Sequence, residues 1–402
     1  MNIVSRWGAE RRKWAPALVV ALVCIVVPGQ AAAATPNRVY VETNNPAGNQ
    51  VVVFRRAAGG ALHEQGRVAT GGVGAPASVQ VPIVDSVNSV ILSQDKKLLF
   101  AVNAGSNTVS SFNLGKNGLP RLVGTTSSQG KFPLSLASLA DHRHGRAAAT
   151  GILYTVNYSS GDITGFRYAA NGKLTAIPGG HVPLSTPGPG ARPSEIQIDH
   201  RKLFVENRNP NTMDVWKLSP TGAPRARVTT HVADAAPYGM AFLKNGTVLV
   251  NGSDSQAESS YRVSGSGRLK RINTAGPSGH ASCWVSITPN DRFAFTSDVY
   301  GFGPSPFTTP PAPPEGQGTL TRFGISRSGR LTYLGNVVTH SGGLADDSAL
   351  SPSGRQFDVL EGDVKTFKAY IESYRVTDTG ELLFEHRTPE NLPAFTSGLI
   401  ES

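Results

Sequence analysis

Cysteine is scarce in this sequence, and the common catalytic signatures are missing. Only Cys24 and Cys283 occur among 402 residues, which excludes a disulfide-rich domain and any paired Cys-x-x-Cys metal or redox site. The sequence also has no Gly-x-Ser-x-Gly, no His-Glu-x-x-His and no glycine loop followed by Lys-Ser or Lys-Thr. The nucleophile elbow of serine hydrolases, the zincin metal site and the P-loop are therefore excluded as sources of activity.

Long apolar runs are absent except at the N-terminus. Four basic residues among the first 13 precede an apolar run over residues 17–27, and small residues follow up to Ala34. This layout predicts a secretory signal peptide over residues 1–34, because the run is shorter than the roughly 20 apolar residues of a transmembrane helix. A lipid anchor at Cys24 is the alternative, although Val23 stands where a small residue is preferred. We therefore expect an exported protein, periplasmic or extracellular, with no stable membrane anchor.

Positive charge predominates, but no segment concentrates it. The sequence has 38 Lys and Arg against 28 Asp and Glu, a net charge of +10, and removal of residues 1–34 with four basic and one acidic side chain leaves 10 − 3 = +7. Pairs such as Arg201-Lys202 and Lys270-Arg271 are far apart in sequence, and no basic run is interleaved with aromatic residues. The sequence therefore predicts a solvated basic surface and no nucleic-acid partner.

Helical periodicity is also missing beyond residue 34, and a short strand-like segment recurs instead. Its members share an apolar stretch that ends in Asn or an acidic residue, and they lie at 39–44, 99–103, 153–157, 203–207, 247–251, 294–298 and 357–361. The first and last anchor positions, Tyr40 and Asp358, are 318 residues apart, which gives 318/6 = 53 residues per repeat. Repeats of this size that contain only strands are typical of a β-propeller.

Two further series support seven repeats. A turn that ends in glycine follows each anchor, and the glycines are Gly60, Gly118, Gly172, Gly222, Gly267, Gly329 and Gly380. A polar turn precedes every anchor except Tyr40, and the strand missing there is supplied by residues 392–400, which would pair beside Val39–Glu42. The prediction is an all-β, seven-bladed propeller over residues 35–402 whose first blade is closed by the C-terminal strand.

One insertion interrupts the sixth repeat. Residues 299–317 are rich in proline and glycine, so they cannot continue regular strand pairing and are expected to form an extended loop on one face. Such a loop covers the central channel as a lid or rim, or it has no specific role.

The repeat series and two other segments resemble a known family. The segments are 281–289, Ala-Ser-Cys-Trp-Val-Ser-Ile-Thr-Pro, and 342–354, which begins Gly-Gly-Leu-Ala-Asp-Asp. With the repeats they resemble the bacterial lactonase-type propellers, which include 6-phosphogluconolactonase-like and 3-carboxymuconate-cyclase-like proteins, over residues 37–400. The resemblance implies a site without metal or cofactor, with Gly-Pro-Arg-His at the start of a blade and an acidic residue after the Asn of the next hairpin.

This chain matches that pattern only in part. Gly190-Ala191-Arg192-Pro193 supplies the arginine but has proline where the resemblance implies histidine, and Arg208 stands at the acidic position. Glu206 lies two residues earlier, on the same face of the strand but displaced by about 7 Å.

Opening or closing a lactone requires a cation that binds the carboxylate or oxyanion and a group that moves one proton. We predict Arg192 as the carboxylate clamp and His280 or Glu206 as the acid or base, with Asp347 as a further base candidate. Each has a structural alternative: a surface arginine, a loop histidine, and an acidic pair that forms a turn with Asp346. His340 occupies a similar loop, and Cys283 is expected to be a buried thiol.

Two functions from different classes remain open. The first is a lactonase or muconate-cyclase-like enzyme that acts on a small carboxylated lactone without a cofactor. The second is a non-catalytic propeller that binds a protein or cell-surface ligand, which the incomplete catalytic pattern favours. A metal-dependent lactonase would need Asp346, Asp347 and Glu361 to converge. A monomer is expected in each case.

Overall fold

The computed structural model describes residues 37–76, 87–141, 150–232, 234–300, 317–363, 366, 368–393 and 396–402. The signal peptide predicted for residues 1–34 lies outside these residues. So do residues 301–316 of the predicted loop. Within the described ranges, no helix has the length and hydrophobicity of a membrane span.

Seven antiparallel sheets, the blades, follow one another along the chain. From the inside outwards, the first three blades consist of β29 (Ser397–Glu401), β1 (Arg38–Glu42), β2 (Gln50–Arg56) and β3 (Leu62–Ala69); β4 (Val90–Leu92), β5 (Leu98–Asn103), β6 (Thr108–Leu114) and β7 (Pro120–Ser127); and β8 (Pro133–Ala140), β9 (Gly151–Asn157), β10 (Asp162–Tyr168) and β11 (Leu174–Pro183).

The other four blades repeat this order. They consist of β12 (Pro193–Asp199), β13 (Lys202–Asn207), β14 (Thr212–Leu218) and β15 (Pro224–His231); β16 (Pro237–Phe242), β17 (Thr247–Gly252), β18 (Ala257–Val263) and β19 (Leu269–Ala275); β20 (His280–Ile287), β21 (Phe293–Tyr300), β22 (Thr319–Ile325) and β23 (Leu331–Val338); and β24 (Leu344–Leu350), β25 (Gln356–Asp363), β26 (Lys368–Val376) and β27 (Leu382–Arg387).

The innermost strands form a closed ring. Strands β4, β8, β12, β16, β20, β24 and β29 each contact the inner strands on both sides, and β29 contacts β4. The inner strands begin on one side of the ring, where the hairpins between second and third strands also lie, and we call this side the mouth face. The opposite side carries the turns that join the first to the second and the third to the fourth strands, and we call it the turn face.

The predicted closure of the first blade is confirmed with one correction. Strand β29 pairs with β1, for example Val39 with Glu401 and Val41 with Leu399. The sequence prediction began this strand at Leu392, which is wrong because β28 (Leu392–Pro393) pairs with β26 of the seventh blade. The inner strand begins only at Ser397.

The core lies between the blades. Seven apolar clusters fill the contacts between neighbouring sheets, as between Phe204 of β13 and Val248 of β17. Successive residues of one strand pack on opposite faces of the blade, since Leu98, Phe100 and Val102 of β5 belong to one cluster and Leu99 and Ala101 to the next.

The repeated Asn has a structural role. At the ends of the second strands, Asn103 donates to the hydroxyls of Thr108 at 3.0 Å and Ser110 at 2.7 Å, and Asn157 donates to Asp162 at 2.6 Å. The side chain fastens the start of the third strand to the end of the second, because it satisfies polar groups that the hairpin buries. This explains why Asn recurs at a fixed place in the repeat.

All seven predicted turn glycines have a left-handed backbone, with φ between +71° and +102°. Some receive a hydrogen bond from the preceding blade, since the Tyr40 hydroxyl donates to the Gly118 carbonyl at 3.0 Å and the Tyr154 hydroxyl to the Gly222 carbonyl at 2.7 Å. The repeat tyrosine and the turn glycine therefore join successive blades.

Candidate functional site

Arg192 lies on the mouth face immediately before β12. A 3-10 turn over Gly188–Gly190 and the buried Ala191 lead into it. Its φ is +45°, a left-handed conformation that is uncommon for arginine. The half-buried side chain donates from Nε to the Tyr158 hydroxyl at 3.2 Å, and Tyr158 packs against Phe132. The structure thus places the predicted carboxylate clamp at the start of an inner strand.

A second arginine lies beside it. Arg208 donates its backbone N–H to the Arg192 carbonyl at 3.2 Å. Its guanidinium lies 4.8 Å from the centre of the Tyr238 ring, and Tyr238 contacts Trp284 edge to face at 5.6 Å. Two cations therefore occupy the mouth face of the fourth blade, each in contact with a tyrosine.

Sequence reasoning did not assign Arg208 a function. The sequence did contain a signal for Arg208, because a basic residue stands at the position where the resemblance implies an acidic one.

His280 is the first residue of β20 and is half-buried. Its Nδ1 lies 2.6 Å from the Gln256 amide nitrogen, in the hairpin between β17 and β18. The preceding residue, Gly279, donates its N–H to Asp298 at 3.1 Å. The histidine is therefore positioned on the mouth face of the sixth blade, two blades along the ring from Arg192.

Glu206 is enclosed within the ring. It lies on β13 and is fully buried, and neither carboxyl oxygen has a hydrogen-bond partner among the described residues. Burial, followed by repulsion from Glu195, Glu258 and Asp234, raises its pKa well above the ordinary value. Glu258 belongs to β18 of the fifth blade, and Phe204, on the same face of β13 as Glu206, packs against Val248 of that blade. Glu206 therefore faces the interface between the fourth and fifth blades.

Asp347 joins the seventh blade to the first. It is fully buried on β24, and its carboxylate accepts the backbone N–H of Ser348 at 2.6 Å and of Leu399 at 3.1 Å. Burial raises its pKa to about 8. The neighbouring Asp346 also has a raised pKa, because of burial and the charge of Asp347.

His340 is directed away from the inner strands. Its ring stacks on Phe384 of the outermost strand β27, with centroids 3.7 Å apart. Cys283 is buried, as predicted, in an apolar cluster with Val87, Tyr238, Trp284 and Leu344. These side chains come from four blades, so they meet near the centre of the ring.

Glu195 was missed from the sequence. It is fully buried on β12 and accepts hydrogen bonds from Asn88 at 2.5 Å, Gln197 at 2.7 Å and the Met240 backbone at 2.5 Å. Burial is the main cause that raises its pKa to about 8, and the charge of Asp347 adds to it. Glu195 contacts residues of the second and fifth blades, and the charge of Asp347 on the seventh blade raises its pKa. Glu195 therefore lies at the centre of the ring. The available signal was an acid inside the strand-like segment Pro193–Ile198.

Among the described residues, no three His, Cys, Asp or Glu side chains are grouped so that they could hold a metal ion, Asp346, Asp347 and Glu361 included.

Comparisons with known proteins support the resemblance. Residues 134–286 match the sequence profile of the family described as lactonase, 7-bladed beta-propeller. This segment contains Arg192, Glu206, Arg208 and His280. No curated protein matches the sequence.

Solved structures share the fold around the ring. A Bacteroides fragilis protein proposed to be a 6-phosphogluconolactonase aligns with a TM-score of 0.68 and 16% identity, over 92% of this chain and 99% of that one. The periplasmic gluconolactonase of Pseudomonas aeruginosa aligns with a TM-score of 0.65 and 15% identity, over 91% and 98%. A Lactobacillus plantarum protein gives 0.66 and 16%, over 90% and 98%.

Identities this low show a shared fold and carry no substrate with them. The chain is a seven-bladed β-propeller, and its residues 134–286 match the sequence profile of the lactonase propellers.

Proposed function

We propose that the mouth face hydrolyses, or in reverse forms, a small lactone that carries a carboxylate, without a cofactor. The observation that carries this proposal is the pair of arginines at the start of the fourth blade, Arg192 and Arg208, which are joined through their backbones and each in contact with a tyrosine. Two arginines whose backbones are paired at one edge of the blade suit a substrate with a carboxylate and a carbonyl that becomes an oxyanion.

The chemistry then needs one proton carrier in reach of water. His280 is half-exposed and lies beside the Gln256 side-chain amide. With the amide oxygen turned to accept the Nδ1–H, Nε2 keeps its lone pair and serves as the base that takes a proton from water. The water oxygen adds to the lactone carbonyl, and an arginine stabilises the resulting oxyanion. The ring C–O bond then breaks and the alcohol oxygen receives the proton, which gives a hydroxy acid.

The buried carboxyl groups have supporting roles in this scheme. Glu206 and Asp347 are fully enclosed, so neither would touch the substrate in the arrangement described. Glu206 would remain protonated beside the arginine-bearing strand, and Asp347 would hold β24 against β29 through Leu399.

The test is hydrolysis of a panel of carboxylated and plain lactones, followed by the change in pH. We expect Arg192→Asn to lower kcat/KM on carboxylated lactones by about a hundredfold to a thousandfold, while Asn accepts the left-handed backbone at this position. His280→Gln should lower kcat by at least about a hundredfold. Arg121→Asn on the outer strand β7 removes the same charge from an exposed site and should leave turnover unchanged.

Absence of turnover on every lactone by the folded protein would overturn the proposal and favour the non-catalytic, ligand-binding propeller. Turnover that disappears with a chelator would contradict the part of the proposal that excludes a cofactor.

A further inference from the structure

The turn face gathers basic residues that are scattered in the sequence. Lys202 of β13 lies directly opposite Lys217 of β14, and Arg262 of β18 lies directly opposite Lys270 of β19. Directly opposed residues project from the same face of a sheet, so like charges there repel each other. The fourth and fifth blades therefore each keep an unfavourable pair at their turn-face ends.

Neighbouring turns add more positive charge to both pairs. The turn of the fifth blade that contains Arg268 packs against Val215 of β14, because a Cβ at Gly267 would lie 2.8 Å from that side chain. This contact places Arg268 near Lys202 and Lys217. The turn of the sixth blade, which contains the exposed Arg327 and Arg330, packs in the same way against Thr247 of β17.

The turns are also connected to one another across the blades. Lys244 donates its backbone N–H to Asp291 at 3.0 Å, and the Asn245 amide donates to the Arg327 carbonyl at 3.5 Å. The side chains of Lys217, Lys244, Arg262, Arg268, Lys270 and Arg327 are exposed. We call these six side chains of the fourth to sixth blades, together with the half-buried Lys202, the basic patch.

We propose that the basic patch binds the anionic headgroups of a lipid bilayer. The patch consists of short turns at the ends of adjacent sheets and spans three blades. This arrangement suits contact with the broad, charged surface of a bilayer. Reading of a DNA groove requires a helix or ribbon that inserts into it, and single strands require exposed aromatic rings. Among the described residues, the exposed large apolar side chains are Val123, Leu334, Val338 and Leu383, none of them aromatic. This proposal does not depend on lactone chemistry at the mouth face.

The test is sedimentation of the full chain with phosphatidylcholine vesicles that contain or lack phosphatidylglycerol. We expect binding only to the anionic vesicles and its loss at high salt, because screening shortens the range of the attraction. The variant Lys202→Gln, Lys217→Gln, Arg262→Gln, Lys270→Gln should bind at least about a hundredfold more weakly, since each basic side chain near such a surface strengthens binding by about fivefold. Its Tm should be unchanged or higher, because two repulsive pairs are removed.

A charge-matched control separates the patch from net charge. Arg55→Gln, Arg121→Gln, Lys131→Gln, Lys368→Gln also removes four positive charges, all from exposed sites outside the patch, and should keep most of the vesicle binding. Equal loss in both variants would overturn the proposal, as would failure of the unmodified chain to bind anionic vesicles. Tighter binding to DNA or heparin than to vesicles would also contradict it.

Discussion

At the scale of single residues, the unusual feature is the number of carboxyl groups sealed inside the ring. Glu42, Glu195 and Asp347 each have a pKa raised to about 8 by burial. The pKa values of Glu206 and Glu258 are also raised well above the ordinary value, because burial combines with repulsion from neighbouring acids. The folded state favours the neutral, protonated form of these carboxyl groups, since a buried charge without a partner is unfavourable.

This predicts that stability falls as pH rises. A carboxyl whose folded pKa is raised binds a proton in the folded state between pH about 4 and about 8, whereas the unfolded chain has already lost it. Stability from these groups is therefore complete below pH about 4 and is lost progressively up to pH about 8. Thermal unfolding at pH 5, 7 and 9 measures this, and a Tm that rises from pH 5 to pH 9 would contradict it.

Glu206→Gln tests one group alone. The amide keeps the shape and removes the titration, so Glu206→Gln should be at least as stable as the unmodified chain at pH 9 and should show a shallower pH dependence. Glu381→Gln, in an exposed turn, is the matched control and should leave the pH dependence unchanged.

At the scale of elements, adjacent blades are joined by a tyrosine and a glycine turn. Gly222 has φ +92°, and a Cβ there would lie 2.8 Å from the Ile152 side chain of the preceding blade. Gly179 also has a left-handed backbone, with φ +71°, but open space around it. The two glycines share the backbone requirement and differ in what surrounds them.

We therefore expect Gly222→Ala to be more destabilising than Gly179→Ala. Both substitutions carry the cost of a left-handed alanine, about 1–2 kcal/mol, and only the first also forces Ile152 to move. Tyr154→Phe should cost about 0.5–1.5 kcal/mol through the lost hydrogen bond to the Gly222 carbonyl. Urea unfolding of the three variants measures these differences, and equal values for the two alanine variants would show that the contact is unimportant.

At the scale of the whole molecule, the ring is closed by its two chain ends. Strand β29 pairs with β1, and Arg56 of β2 forms buried ion pairs with Asp358 of β25 and with Glu401 of β29, the latter at 3.2 Å. One arginine thus connects the first blade, the C-terminal strand and the seventh blade. Removing it would leave two carboxyl groups buried without a cation.

Arg56→Met should therefore lower the free energy of unfolding by about 3–5 kcal/mol. Arg375→Met is the comparison, because Arg375 pairs with Glu385 at 2.8 Å in a largely exposed position, where ion pairs contribute about 0–1 kcal/mol. Denaturant unfolding of both variants provides the measurement. A cost for Arg56→Met as small as that for Arg375→Met would show that closure relies on strand pairing alone.

Local patterns in the sequence were sufficient to predict the architecture. Repeats of strand, polar turn and glycine are local patterns, so Tyr40, Asn103 and Gly222 could be recognised without knowing their partners, and the missing first strand indicated closure by the C-terminus. The sequence was less reliable where neighbours in space decide the outcome. Leu392 and Pro393 pair with β26, although their apolar character suited the inner strand equally well.

Which residues come into contact became clear only from the folded ring. Pairing of β12 with β13 brought Arg208 beside Arg192, and packing of the blades placed Glu195 in the ring centre and enclosed Glu206 between two blades. It also brought Lys202, Lys217, Arg262 and Lys270 together on one face. Charge and burial depend on contacts between residues far apart in sequence, which no repeat pattern encodes. The number of blades can therefore be predicted from the sequence repeats, whereas the candidate site and the basic patch form only when the ring has closed.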